Sequence, residues 1–226
     1  MSKIVNLKKM KKYFVSLVVL GSMLFFAADV CAHEPLSGKQ LDKAVKKSVK
    51  DQLKYLKKGN WNLTGTSLPL EVALDRHYRT LLGTNSEEIE ANVGMCQSLN
   101  VCSSQAQNNA LIEYARSQGS SVEGQANVEL FNNASAARPK EVDAFLANYQ
   151  TNVSQEIKGE VKISIAFERS VKKTGGGREY KAYFLIDADK AVESRMRAFQ
   201  QAAREANLSK EYVDKFSEYV RQGSER

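Results

Sequence analysis

Two histidines, three prolines and one tryptophan in 226 residues leave little material for several kinds of chemistry. Every histidine-dependent mechanism rests on His33 and His77. No Gly-x-Ser-x-Gly elbow is present to present a serine nucleophile, and neither histidine is placed by sequence to serve one. Cys-x-x-Cys spacing, which redox catalysis favours, is missing, as are Asp-rich calcium loops. No internal repeat is visible either.

The chain begins with Lys3, Lys8, Lys9, Lys11 and Lys12, followed by an apolar run from Tyr13 to Ala28. That run is too short and poorly flanked for a transmembrane anchor, and it predicts a cleavable secretory signal over residues 1–32. A cut after Ala32 places Val30 and Ala32 at the small-residue positions and leaves His33 as the new N-terminus. The rival is lipidation of Cys31, which Val30 and Ala28 serve poorly as flanks. Removing residues 1–32 takes away five Lys and Asp29, so the net charge falls by four, from +7 to +3 over the remaining 194 residues. So small a charge does not point to nucleic acid. Basic character remains between residues 33 and 60, with eight Lys against Glu34, Asp42 and Asp51. A solvated helix face is the expected reading, with contact to anionic lipid or glycan, and so peripheral membrane association, as the alternative.

The exported chain keeps Cys96 and Cys102, with five residues between them. An even count in an oxidising compartment predicts a disulfide closing a short loop. A metal pair is the rival, although no further Cys or His lies nearby to complete four ligands.

Leu41, Val45, Val49, Leu53 and Leu56 recur at helical spacing and predict an amphipathic helix ending near Gly59 and Asn60. Trp61–Ser67 reads as an extended connection, and a second helix starts near Pro69 with Leu70, Leu74, His77 and Leu81 on one face. Ile89, Ala91, Val93 and Met95 alternate with polar residues and predict a strand over 88–96. Ser103–Phe131 reads as one helix, soft or broken in its second half at Gly119 and Gly124. After 132–137, which carry no periodic pattern, Pro139 opens a helix striped by Val142, Phe145, Leu146, Tyr149, Val153 and Ile157.

Val161, Ile163, Ile165 and Phe167 alternate with Lys162, Ser164, Ala166 and Glu168, and Tyr180–Ile186 forms a second apolar run beyond Thr174–Gly177. Together they predict a β-hairpin whose first strand has one face in the core, its glycines serving a turn rather than a phosphate cradle. Asp189 is placed to cap a helix through Val192, Met196, Phe199, Ala203 and Ala206, and Ser209 opens a last helix with Tyr212, Phe216 and Val220 before a frayed end at 222–226. The fold class is therefore α+β, a small, mainly antiparallel sheet with a C-terminal β-hairpin, packed by several helices. The segments read as a basic helix and linker over 33–67, the α+β domain over 68–206, and a C-terminal helix and tail over 207–226.

His77, on an apolar helix face, reads as a buried, hydrogen-bonded histidine; with the amine and imidazole of His33 it also offers copper-brace chemistry. Glu87, Glu88 and Glu90 offer carboxylates for glycosidic chemistry, and read more simply as a solvated loop and strand edge. Tyr180, Tyr183 and Phe184, with Tyr212, Phe216 and Tyr219, exceed what one side of a small sheet buries comfortably; core is the first reading and a partner surface the second.

An Ala-rich helix after a strand, then an alternating hairpin ending in Tyr180-Lys181-Ala182-Tyr183-Phe184-Leu185-Ile186-Asp187-Ala188 and passing into a helix, resembles the LPP-twenty type of lipoprotein domain. The chain is similar, more closely, to uncharacterised exported proteins of gut anaerobes, in which a stretch like Leu68-Pro69-Leu70-Glu71-Val72-Ala73-Leu74-Asp75-Arg76 follows a tryptophan, here Trp61, and precedes such a domain. The likeness spans residues 50 to 206, with its specific part in Leu68–Arg76. It implies an envelope-associated, non-enzymatic domain with no catalytic, cofactor or metal residues to carry over. The Cys96/Cys102 loop and the weak lipidation site depart from it. The expected function is a non-catalytic envelope protein that binds or assembles with another envelope component, with a glycan-active hydrolase or metal enzyme of the periplasm as the alternative.

Overall fold

A computed structural model describes residues 35–132, 139–171 and 177–222. Residues 1–34, which include the segment expected to direct export with Cys31, Ala32 and His33, and most of the 174–177 connection lie outside these residues. The described residues form α1 (Gly38–Gly59), β1 (Asn62–Thr64), α2 (Leu70–Gly83), β2 (Ser86–Cys96), α3 (Leu99–Asn132), α4 (Lys140–Glu156), β3 (Lys162–Ser170), β4 (Arg178–Asp187), α5 (Ala188–Glu205) and α6 (Lys210–Gln222). The expected α+β class holds, with the C-terminal hairpin β3–β4 at its centre. No described helix is long and apolar enough to cross a membrane.

The strands order as β1-β3-β4-β2, all antiparallel. Successive side chains of a strand point to opposite faces. On β4 this sends Tyr180, Ala182, Phe184 and Ile186 into the core beneath α3, α4, α5 and α6. The opposite face carries Lys181, Tyr183 and Leu185, and there Tyr183 joins Phe167, Ile165, Leu56 and Leu74 under α1 and α2. The sheet is thus sandwiched, which resolves the aromatic surplus: Tyr180, Tyr183, Phe184 and Phe216 are buried, while Tyr212 and Tyr219 pack on the larger core half-covered. Each fully buried large side chain contributes about 1.5–3 kcal/mol.

Local signals set the element ends. Asn60 sits in the left-handed region (φ 54°) and, with Trp61, hydrogen-bonds the last carbonyls of α1. Asp187, not Asp189, caps α5, its carboxylate accepting from the backbone N–H of Lys190 at 3.2 Å. Within the extended connection after Trp61, Asn62–Thr64 pairs with Ala166–Glu168 as a short edge strand.

Further expectations are corrected. α3 runs unbroken through Gly119 and Gly124. A Cβ at Gly119 would stand 3.3 Å from Cβ of Gln150, so this glycine lets α3 and α4 approach closely. The alternation of β3 does not define one face, because Ile163 pairs with Phe184 and Ile165 with Tyr183, a bulge that inserts Ser164. Val161 therefore enters the larger core, Ile165 and Phe167 the smaller one, and Ile163 stays 49% exposed. On β2, Met95 leaves the buried series of Ala91 and Val93, because the register shifts between Val93 and Cys96. Gln222, the first residue of the end expected to fray, still belongs to α6, and residues 223–226 lie outside the described ones.

Candidate binding groove and the polar cluster behind it

Cys96 ends β2 and Cys102 stands in the first turns of α3, buried; their disulfide, with Cα atoms 5.5 Å apart, ties the strand to the helix beside it. This pairing places α3 along the edge of β2, the last strand of the sheet. Between strand and helix runs a groove of about 1050 Å³, walled by Glu87–Asn92 on one side and by Asn109, Ile112, Arg116 and Ser120 on the other.

The backbone polarity of β2 follows from two hydrogen bonds. Ala188 donates to the carbonyl of Asn85 at 2.9 Å, so Asn85, and by the two-residue period Glu87, Ile89 and Ala91, turn their backbone groups toward β4. Asn109 Nδ2 donates to the carbonyl of Asn92 at 3.4 Å, from the helix side, which places the groups of Asn92, Glu90 and Glu88 on the open edge. At the other end the Ser86 N–H is taken by the Thr84 carbonyl at 2.9 Å. Between these two closures Glu88 and Glu90 present their N–H and C=O to the groove, where no described strand pairs with them.

The three glutamates lie on the edge strand β2, as the strand-edge expectation has it, but only Glu90 is exposed and none stands in a loop. Glu87 is 4% exposed, and neither carboxyl oxygen has a hydrogen-bond partner among the described residues. Burial pushes its pKa up, and the charge of the fully buried Arg195, which donates to the Tyr114 hydroxyl at 2.6 Å, works in the opposite direction. On the other face, Glu90 accepts from Lys181 Nζ at 2.6 Å, and Lys181 in turn reaches the Tyr55 hydroxyl at 3.1 Å. Burial disfavours the Glu90 carboxylate, but hydrogen bonds from Lys181 and Asn92 outweigh it and hold its pKa below the ordinary value. Burial likewise opposes the Lys181 ammonium, and the bonds to Glu90 and Tyr55 raise its pKa nevertheless.

Glu88 reaches His77. The imidazole, 2% exposed, has Nε2 at 2.7 Å from Glu88 Oε2 and Nδ1 at 2.9 Å from Ser164 Oγ. Ser164, the bulged residue, also lines a cleft of about 750 Å³ that includes Thr66, Arg76 and Leu185. The fold thus does bring a histidine beside a serine and a carboxylate, which sequence reasoning missed because the contacts span 87 and 11 positions. The ring nitrogens are used in the reverse sense to a serine-hydrolase relay, where serine sits on Nε2 and the acid on Nδ1. What the arrangement does is satisfy both nitrogens of a buried ring and clamp α2 to β2 and β3. His33, the other half of the copper brace, lies outside the described residues, and no group of three His, Cys, Asp or Glu side chains is clustered for a metal among the described ones.

No family model, curated protein or solved structure matches the chain.

Proposed function

We propose that this chain is an exported envelope protein that acts by binding or assembling with another envelope protein, and that the partner seats on the open edge of β2. One observation carries the reading: an eleven-residue edge strand has a stretch that no described strand pairs with, beside a groove that α3 walls but does not fill. An unpaired edge is a ready template for another chain, and proteins ordinarily cover it or blunt it. The basic, apolar leader, the disulfide and the resemblance of Leu68–Arg76 to exported proteins support the compartment. The glycan-active alternative has less behind it, since Glu87 and Glu88 turn to opposite faces of the sheet and each of Glu88 and Glu90 is held by a side chain of the fold.

The test uses a tagged chain expressed with its own leader. Intact mass is expected to show a mature protein starting at His33; a diacyl or triacyl mass on Cys31 would make it lipid-anchored. A photo-crosslinker at Ile112, on the groove wall, is expected to capture an envelope protein that the same group at Val72, exposed on α2, does not. Equal capture at both positions, or retention of the uncleaved leader in the cytoplasm, would overturn the reading, and so would clear glycan turnover or stoichiometric copper.

A further inference from the structure

We propose, resting on the reading of the β2–α3 groove as the binding surface, that its ligand is an extended peptide that joins the sheet as a fifth strand and alternates cationic with apolar side chains. The open stretch is short and defined at both ends, by the Thr84–Ser86 turn and by Asn109 on the Asn92 carbonyl. Between them Glu88 and Glu90 offer a donor and an acceptor each, the main-chain pattern that strand addition uses.

Side-chain chemistry follows from the pleat. A residue opposite Glu88 or Glu90 points to the same face as those carboxylates. Glu88, held on one side by the His77 ring, remains 29% exposed, so a Lys or Arg opposite it gains a charge partner. The residue between points to the other face, over α3, where Ile112 is 59% exposed and Ile89 is half-covered. The preferred sequence is therefore apolar, basic, apolar, basic, apolar.

The same charges argue against a second copy of this chain. Antiparallel pairing of two β2 edges about this stretch would bring the Glu88 and Glu90 carboxylates of both copies onto one face, and like charges across a strand pair destabilise it. The acidic pair thus blunts self-association while leaving the edge open to a basic strand.

Three capped peptides test this on the full mature chain: Val-Lys-Val-Lys-Val, Val-Glu-Val-Glu-Val, and the lysine peptide N-methylated along one edge. Fluorescence anisotropy is expected to rank the lysine peptide above the glutamate one by about tenfold or more, with N-methylation abolishing binding. Hydrogen exchange is expected to slow at the Glu88 and Glu90 amides, and Ile112→Asp, a change on an exposed helix face, to weaken binding without altering the unfolding midpoint. Equal affinity for the two charge patterns, absence of binding, or protection confined to another surface would each overturn the proposal. If the crosslinker at Ile112 still captures a partner that the lysine peptide does not displace, the groove is a binding surface and the strand-addition chemistry is wrong; if Ile112 captures nothing, the broader reading fails first.

Discussion

His77 Nε2 stands 2.7 Å from Glu88 Oε2, joining the centre of α2 to the strand that borders the groove. With Ser164 on Nδ1, the ring has a partner at both nitrogens although it is almost fully buried. His77→Ala leaves a cavity and strips Glu88 and Ser164 of their partner, and is expected to cost about 2–4 kcal/mol by denaturant unfolding. Ser164→Ala removes one hydrogen bond at an exposed position and is expected to cost about 1 kcal/mol. As a structural clamp, Ser164 is expected to remain unmodified by a fluorophosphonate; a stoichiometric adduct lost in Ser164→Ala would mean that the reversed relay is reactive after all.

Glu87 and Glu90, two strand positions that face opposite sides of the sheet, are expected to respond to pH with opposite sign. The folded pKa of Glu87 is raised by burial, with Arg195 opposing. Its contribution is fully present below the ordinary carboxylate pKa and is lost as pH rises through the higher folded value. Glu87→Gln, which stays neutral, is expected to remove that loss and to gain stability near neutrality relative to the parent. Unfolding measured from acid to neutral pH decides it: a parallel shift at every pH would exclude titration of Glu87 as the cause.

Burial also works against the Glu90 carboxylate, but Lys181 and Asn92 overcome it and depress the folded pKa. That stabilisation is present above the ordinary carboxylate pKa and is lost as pH falls through the depressed folded value. Glu90→Gln weakens the bond to the largely buried Lys181, and is expected to cost about 1–2 kcal/mol at neutral pH and little in acid. An undiminished cost in acid would place the effect in packing instead.

Cys96 and Cys102 are expected to resist thiol labelling in the denatured, unreduced chain. Reduction is expected to lower stability by about 2.4 kcal/mol in the chain-entropy model for so short a loop. Because Cys96 holds β2 beside α3, reduction is also expected to accelerate hydrogen exchange along the groove before the β3–β4 hairpin responds.

Periodicity read well where one rule acted. The stripe Val142, Phe145, Tyr149, Val153 predicts α4 and is buried as expected, and the expected Cys96–Cys102 pair is formed. Gly119 misled because helix propensity counts its entropic cost and not the close approach to Gln150 that it permits. Glu87 looked solvated because its neighbours Glu88 and Glu90 are also acidic, and a two-residue period does not say that a carboxylate will share the apolar face with Arg195, distant in sequence. The edge position of β2, on which the binding proposal rests, is a property of strand order, which no local pattern encodes.

β3 offers the sharpest comparison between pattern and fold. Ile163 and Ile165 occupy equivalent places in the sequence alternation, yet the bulge at Ser164 leaves Ile163 49% exposed and puts Ile165, 4% exposed, against Phe167, Tyr183 and the α1–α2 layer. Ile165→Ala is expected to cost about 2–5 kcal/mol, as core truncations do. Ile163→Ala, on solvated surface, is expected to stay within about 0.5 kcal/mol. Shortening the connection between Val171 and Gly177 is expected to cost less than Ile165→Ala, because the Val171 N–H to Gly177 carbonyl bond already closes the hairpin at 2.9 Å. Equal losses for Ile163→Ala and Ile165→Ala would restore the unbroken alternation and remove the bulge; an Ile163→Ala variant that keeps its stability but loses partner capture would move the binding surface from β2 to β3.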